Sequence, residues 1–193
     1  MNTRDRILAA ARKAFDRHGL EGLSLRDVAK KVGITPMAIY RHFASKEALV
    51  DALVLEALDD WSARVAALPA AEGLAKVEQM GEAFLDFALR EPRRFEAAFL
   101  LPSRKARRYP DDFAAGRSPA GNVHLRALEE GIGQGKVAGA SPVEIMLINS
   151  ALSQGLVTLY RAGRIAGGEE EFRALYRRAM RRVCQSFMVE NLQ

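Results

Sequence analysis

Apolar residues in this 193-residue chain recur at helical spacing along most of its length, and no segment alternates apolar with polar residues between turn signals. A helix packs residues three and four apart on one stripe, whereas a half-buried strand needs a period of two. The expected fold is all-α, with about nine helices. In the first, Ile7, Leu8, Ala11, Ala14 and Phe15 share a stripe from Thr3 to His18, and Gly19 ends it. Ser24 caps a second helix with Asp27 three positions on; Leu25, Val28, Ala29 and Val32 face inward and Gly33 stops it. Thr35 and Pro36 start a third, barely two turns long, with Ile39 and Phe43 inward. Ser45 caps a fourth, Lys46 to about Leu68, before Pro69. Further helices are expected from Gly73 to Leu89, Arg93 to Leu101, Asn122 to Gln134, Pro142 to Ala162 after the cap Ser141, and Glu169 to about Leu192. Ser103 to Gly121, with its basic run Arg104 to Arg108, is expected as a loop.

Several function classes find no support. The longest charge-free stretch, Ile145 to Tyr160, contains Asn149, Ser150, Ser153 and Gln154 and is shorter than a bilayer span requires, so no membrane helix is expected. The start, MNTRDRILAAARKAF, mixes acid and base among its apolar residues, unlike a secretory signal, so the expected location is the cytoplasm. Cys184, the one cysteine, cannot form an internal disulfide and is expected as a buried, inert thiol. His18, His42 and His124 have no metal-ligand spacing. Gly131 to Gly135 has neither a preceding strand nor a following GK[ST], so it is a helix end with Gly135 as cap rather than a phosphate loop. No catalytic residue, metal or cofactor is expected.

Charge locates a function. Residues 1–45 carry nine Lys or Arg against four acids, whereas residues 46–193 hold 20 of each, so the whole excess of +5 sits in the first quarter of the chain. Within it, the second and third helices flank a tight turn, Val32-Gly33-Ile34, and Ala29 is small where the two must cross. This is a helix-turn-helix. Its third helix turns Pro36, Met37, Ala38, Tyr40 and Arg41 outward, a face small enough at its start to enter a major groove. Arg41 can bond guanine O6 and N7, with Met37 and Ala38 beside it near the base edges. Arg26, Thr35, Tyr40, His42 and Lys46 complete the candidate DNA-contacting set, chiefly on phosphates.

The run from Gly19 to Val54, GLEGLSLRDVAKKVGITPMAIYRHFASKEALVDALV, resembles the N-terminal domain of the TetR family of bacterial transcriptional regulators. Phe15 and Gly19, Leu25 to Ala29, Val32-Gly33-Ile34, Ile39 to Phe43 and Ser45 to Leu49 carry the resemblance, Lys46 standing where the family anchors its fourth helix on phosphate. Leu89 to Phe95 and Ala151 to Gly163 look like one C-terminal subtype, from which Gln154-Gly155 departs by replacing a usual His-Gly pair. The resemblance implies a three-helix head over about residues 1–46 and a helical ligand-binding and dimerisation domain over 47–193, with the fourth helix as connector. It also implies a homodimer on double-stranded, palindromic operator DNA, most often a repressor, released by a small molecule that moves that helix.

Two further residue sets follow. Leu147, Ala151, Leu152, Leu156 and Leu159 on one late helix, and Phe172, Leu175, Tyr176, Ala179, Val183 and Phe187 on the last, exceed what one packed face needs and are expected at the dimer interface. Trp61, Phe84, Phe87 and Phe99 could line an apolar effector pocket, with Asn149, Ser153 and Gln154 as polar anchors. The alternative is a DNA-binding regulator or structural protein with no small-molecule ligand.

Overall fold

The computed structural model describes residues 2–189. Among these the regular structure is helical: α1 (Thr3–His18), α2 (Leu25–Val32), α3 (Pro36–Tyr40), α4 (Lys46–Ala66), α5 (Gly73–Arg90), α6 (Pro92–Phe99), α7 (Asp111–Ala114), α8 (Pro119–Gly133), α9 (Pro142–Arg161) and α10 (Glu169–Gln185). A single antiparallel bridge joins Val137 to Met188.

Local chemistry explains where the helices begin. Asn2 and Asp5 form a reciprocal capping box on α1. Thr35, Ser118 and Ser141 each precede a proline at the first helical position, and their hydroxyls accept the backbone N–H of Ala38, Gly121 and Glu144 at 3.2, 3.2 and 3.3 Å. The Ser118-Pro119 pair corrects the expected loop: α8 starts three residues before Asn122, and α7 forms within the Ser103–Gly121 segment. Gly135 does take the left-handed conformation after α8, with φ of 68°.

The last helix also departs from expectation, ending at Gln185. The chain then turns so that the Phe187 carbonyl accepts the Ala138 N–H at 2.9 Å, and the Val189 N–H donates to Lys136 at 3.0 Å. Phe187 thereby packs on a cluster formed by Val77, Ala127, Leu128, Val137, Ile145 and Met146, a contact favouring departure from the helical path. The rest of the expected extension, residues 190–192, lies outside the described residues.

Two compact units result. The first ends at Trp61 and resumes over Glu91–Ala106; the second takes Ser62–Arg90 and the described residues from Arg107. In the first, Ile7, Ala11 and Phe15 of α1, Val28, Ala29 and Val32 of α2, Ile39, Phe43, and Leu49 and Leu53 of α4 are buried. Each such larger apolar side chain contributes about 1.5–3 kcal/mol on leaving water. Arg12 pairs with Glu56 at 2.6 Å, joining α1 to α4, and Arg94 of α6 grips Asp60.

In the second unit, α8 and α9 pack as neighbours against α5, and α10 lies on α9. Tyr176 of α10 donates to the Gly81 carbonyl at 3.1 Å and contacts the Ser153 hydroxyl at 3.0 Å, tying three helices together. Two ion pairs, Arg173 to Asp86 and Arg177 to Glu82, each 2.7 Å, run alongside in an antiparallel ladder. By length and composition alone α9 could cross a bilayer. Asn149 and Ser153 on this helix are nevertheless buried in the unit, while Leu147 and Leu159 lie on its surface.

Candidate nucleic-acid interface

The turn between α2 and α3 is built from backbone needs. Gly33 adopts φ 76° and ψ 36°, a left-handed conformation that costs a side-chain-bearing residue about 1–2 kcal/mol. Its left-handed turn lets the Ile34 N–H reach the Ala29 carbonyl at 3.1 Å, beside the fully buried Ala29 side chain. Arg6 closes the end of α2 from outside, donating to the Val32 carbonyl at 2.6 Å. Arg4 lies over the Phe43 ring, 4.9 Å from its centre. Thus Arg4 and Arg6, part of the basic excess, have structural partners inside the head, and Arg12 is paired with Glu56 of α4.

Lys13, Arg17, Lys30 and Lys31 are exposed on α1 and α2, and Arg41 is exposed at the end of α3. Arg26, Thr35, Pro36, Met37, Tyr40, Arg41 and His42 are exposed, and Ala38 and Lys46 half-buried. Met37 is 73% exposed and Tyr40 49%, unusual for large apolar side chains. They sit three residues apart, on neighbouring positions of one helical face. Ile39 and Phe43 are buried behind them, and the Phe43 N–H bonds to the Ile39 carbonyl at 2.9 Å although α3 itself ends at Tyr40. Ser45 caps α4 through the Ala48 N–H at 3.2 Å, which fixes Lys46 at the start of that helix. The Ser45 hydroxyl also holds the Glu47 carboxyl below its ordinary pKa. The face offers a groove-sized apolar tip, the guanidiniums of Arg26 and Arg41, and the hydrogen-bonding side chains of Thr35, Tyr40 and His42. Among the described residues, no three His, Cys, Asp or Glu side chains gather where they could hold a metal ion.

Comparison with known proteins places this face in a lineage. Residues 7–53 match the family described as bacterial regulatory proteins, tetR family, and residues 77–183 match the tetracyclin repressor-like C-terminal domain. The chain belongs to the TetR family. It is similar to the HTH-type transcriptional repressor AcnR of Corynebacterium efficiens, 27% identical over 192 residues that cover 94% of each chain. The HTH-type transcriptional regulator UidR of Escherichia coli K12 is 44% identical over 54 residues, a match that spans only 28% of either protein. A TetR-family regulator from Pectobacterium atrosepticum superposes with a TM-score of 0.71 at 24% identity, covering 97% of this chain and 95% of that one, and shares its fold. These relatives are named as transcriptional regulators, and the chain carries the helix-turn-helix head and the C-terminal domain of the same family.

In this TetR-family chain the expected effector residues fall in both units. Trp61 and Phe99 meet edge to face in the first, ring centres 6.0 Å apart, with Phe95 tilted against Phe99 at 5.3 Å. Phe84 and Phe87 are buried in the second, where the Arg64 guanidinium covers Phe87 at 4.8 Å. Ser153 contacts Tyr176 and Met180 through its hydroxyl, and Gln154 is half-buried. Asn149 differs: both its amide atoms are buried without a hydrogen-bond partner, as is Nε2 of His124, which the sequence offered only as a histidine without metal-ligand spacing. Burial lowers the His124 pKa to about 4. A groove of about 690 Å³ between α5 and α10, floored by Gln79, Met180 and Cys184, includes none of the expected effector residues. Cys184 is half-buried, and burial raises its thiol pKa.

The expected dimer residues divide as well. Leu147, Ala151 and Leu159 are exposed on α9, and Leu152, Leu156, Leu175, Ala179, Val183 and Phe187 half-buried. Phe172 and Tyr176 are instead buried in the chain's own core, Phe172 stacking on Tyr160 with ring centres 4.1 Å apart. A helical period marks a buried face without saying whether the same chain or a partner buries it.

Proposed function

We propose that this protein is a cytoplasmic homodimeric repressor that binds a palindromic operator through α3 and is released by a small, largely apolar molecule. The observation that carries the reading is the exposed Met37, Tyr40 and Arg41 surface on a helix-turn-helix with basic surroundings. Met37, Ala38 and Arg41 face base edges; Arg26, Thr35, Tyr40, His42 and Lys46 hold backbone positions, and Pro36 starts the reading helix. Repression is supported by the likeness to AcnR, which is named a transcriptional repressor. Exposed Leu147 and Leu159, on a helix that buries polar Asn149 and Ser153 in its own unit, support a partner copy as the cover of α9. The effector site belongs to the domain over 47–193, with buried, unpartnered Asn149 as its anchor. Tilting of α4, the connector, would alter both heads at once. To reverse occupancy from about 1:99 to 99:1, the ligand must prefer the released state by about 5.5 kcal/mol.

Selecting bound fragments from genomic DNA gives the operator and tests the reading. On that operator Arg41→Ala is expected to cost about 1–3 kcal/mol and to relax preference at one base pair of each half-site. Lys46→Ala is expected to weaken all sequences alike and to flatten the salt dependence. Unchanged affinity and preference in Arg41→Ala would remove Arg41 from base reading. Linkage tests the effector: operator must weaken ligand binding by the factor by which ligand weakens operator binding. Equal ligand affinity in titrations with and without operator would leave a regulator without that switch.

A further inference from the structure

The segment after α6 is tied to the beginning of α4. The Ser103 hydroxyl donates to Asp51 Oδ1 at 2.6 Å, and the Arg104 backbone N–H donates to the same oxygen at 3.2 Å. The Lys105 N–H turns back onto the Ser103 hydroxyl oxygen at 2.9 Å. One carboxylate therefore organises the start of a run that the sequence presents as an unstructured basic loop. Asp51 lies about 7.5 Å of helix rise beyond Lys46, the first residue of α4. The Arg104 side chain acts on that same first turn: after the dominant Ser45 hydroxyl, its charge also lowers the Glu47 carboxyl.

Charge gives this docking a purpose. The first turns of α4 carry Glu47 and Asp51 close behind Lys46, an acidic stretch that repels a nucleic-acid backbone. Arg12 of the head is paired with Glu56 of α4, and Arg4 and Arg6 are held by the Phe43 ring and the Val32 carbonyl. The docked segment brings an exposed guanidinium to the place where positive charge is needed. We propose that Ser103–Ala106 is a second DNA-contacting element, in which Arg104, positioned by Asp51, binds the duplex phosphate backbone beside Lys46. This rests on the reading of α3 as a DNA-binding helix and adds to it a backbone contact from outside residues 1–46.

The test measures binding of a labelled random-sequence duplex across a salt series, with wild-type protein, Arg104→Ala, Asp51→Ala, the double variant and Lys46→Ala. Losing one phosphate contact per subunit lowers the slope of log affinity against log salt by about 0.9, or about 1.8 for a dimer. Extrapolated from about 1 M salt, that is about eightfold weaker binding per lost contact at about 0.1 M. Arg104→Ala is expected to show this change. Asp51→Ala should show much of it even though it removes a negative charge, and the double variant should lose no more than Arg104→Ala. An unaltered slope in Arg104→Ala, with Lys46→Ala lowering it, would overturn the inference and leave the DNA-binding reading intact. If wild-type protein fails to bind any duplex, that reading itself falls. Tighter binding by Asp51→Ala would mean that the carboxylate merely repels DNA, and would overturn its positioning role.

Discussion

Leu147→Glu combined with Leu159→Glu is expected to leave the protein monomeric and to weaken its hold on the operator by about 10²–10⁴-fold. Both leucines lie on the surface of α9, each 41% exposed, on a helix whose opposite side buries Ile145, Met146, Asn149, Ser153 and Val157. Between them Ala151 and Gly155 are exposed and small, and a Cβ on Gly155 would meet nothing within 4 Å, so another helix can approach closely there. The half-buried Leu175, Ala179 and Val183 recur at helical spacing on α10 and give the interface a second row. Carboxylates placed in such a face must be desolvated without partners, which costs more than the apolar contacts return. A monomer then meets the operator through one short helix, and the second head no longer binds as a tethered neighbour. Light scattering at micromolar concentration reads the mass, circular dichroism checks that helicity persists, and anisotropy compares full operator with half-site. Variants that remain dimeric would show that α9 is covered by something other than a second copy.

Which parts were legible in the sequence depends on how local their causes are. The start of α1, the glycine turn at Gly33 and the caps Ser24, Thr35, Ser45 and Ser141 are decided within a few residues, and the helices they govern lie where those residues indicate. Ser118-Pro119 carries the same signal as Thr35-Pro36 and was hidden only by the glycine- and proline-rich stretch around it. The end of α10 and the docking of Ser103 had no such local cause: one depends on Val137, the other on Asp51. Charge counting had a related limit. It located the basic head, but formal charge does not distinguish Arg12, half-buried and paired with Glu56, from Arg41, which is exposed. Among the candidate site residues the exposed face of α3 followed directly from period and proline. The effector set was harder, because burial and hydrogen bonding separate Ser153, held by Tyr176, from Asn149 only in three dimensions.

Acidifying the protein from neutral pH to about pH 4 is expected to remove about 3 kcal/mol of stability through His124 alone. His124 is 9% exposed on the inner face of α8, its Nε2 has no hydrogen-bond partner, and burial presses its pKa from 6.5 to about 4. Burial is the one cause of that shift. The unfolded chain takes up this proton near its ordinary pKa, about 6.5, whereas the folded chain resists until about pH 4. Between those values the unfolded state binds more protons, so stability rises with pH. The contribution is fully present above the unfolded pKa, is lost as pH falls, and changes no further below the folded one. Carboxylates titrate over part of the same range, so the measurement must be a difference. Urea unfolding of wild type and His124→Gln, at several pH values and one fixed protein concentration, isolates the histidine. The gap between the two stability curves should shift by about 3 kcal/mol across this interval, with the variant the less acid-sensitive. Curves that run parallel would mean that the imidazole can take its proton without leaving the fold, through solvent access or a partner that burial in α8 does not provide.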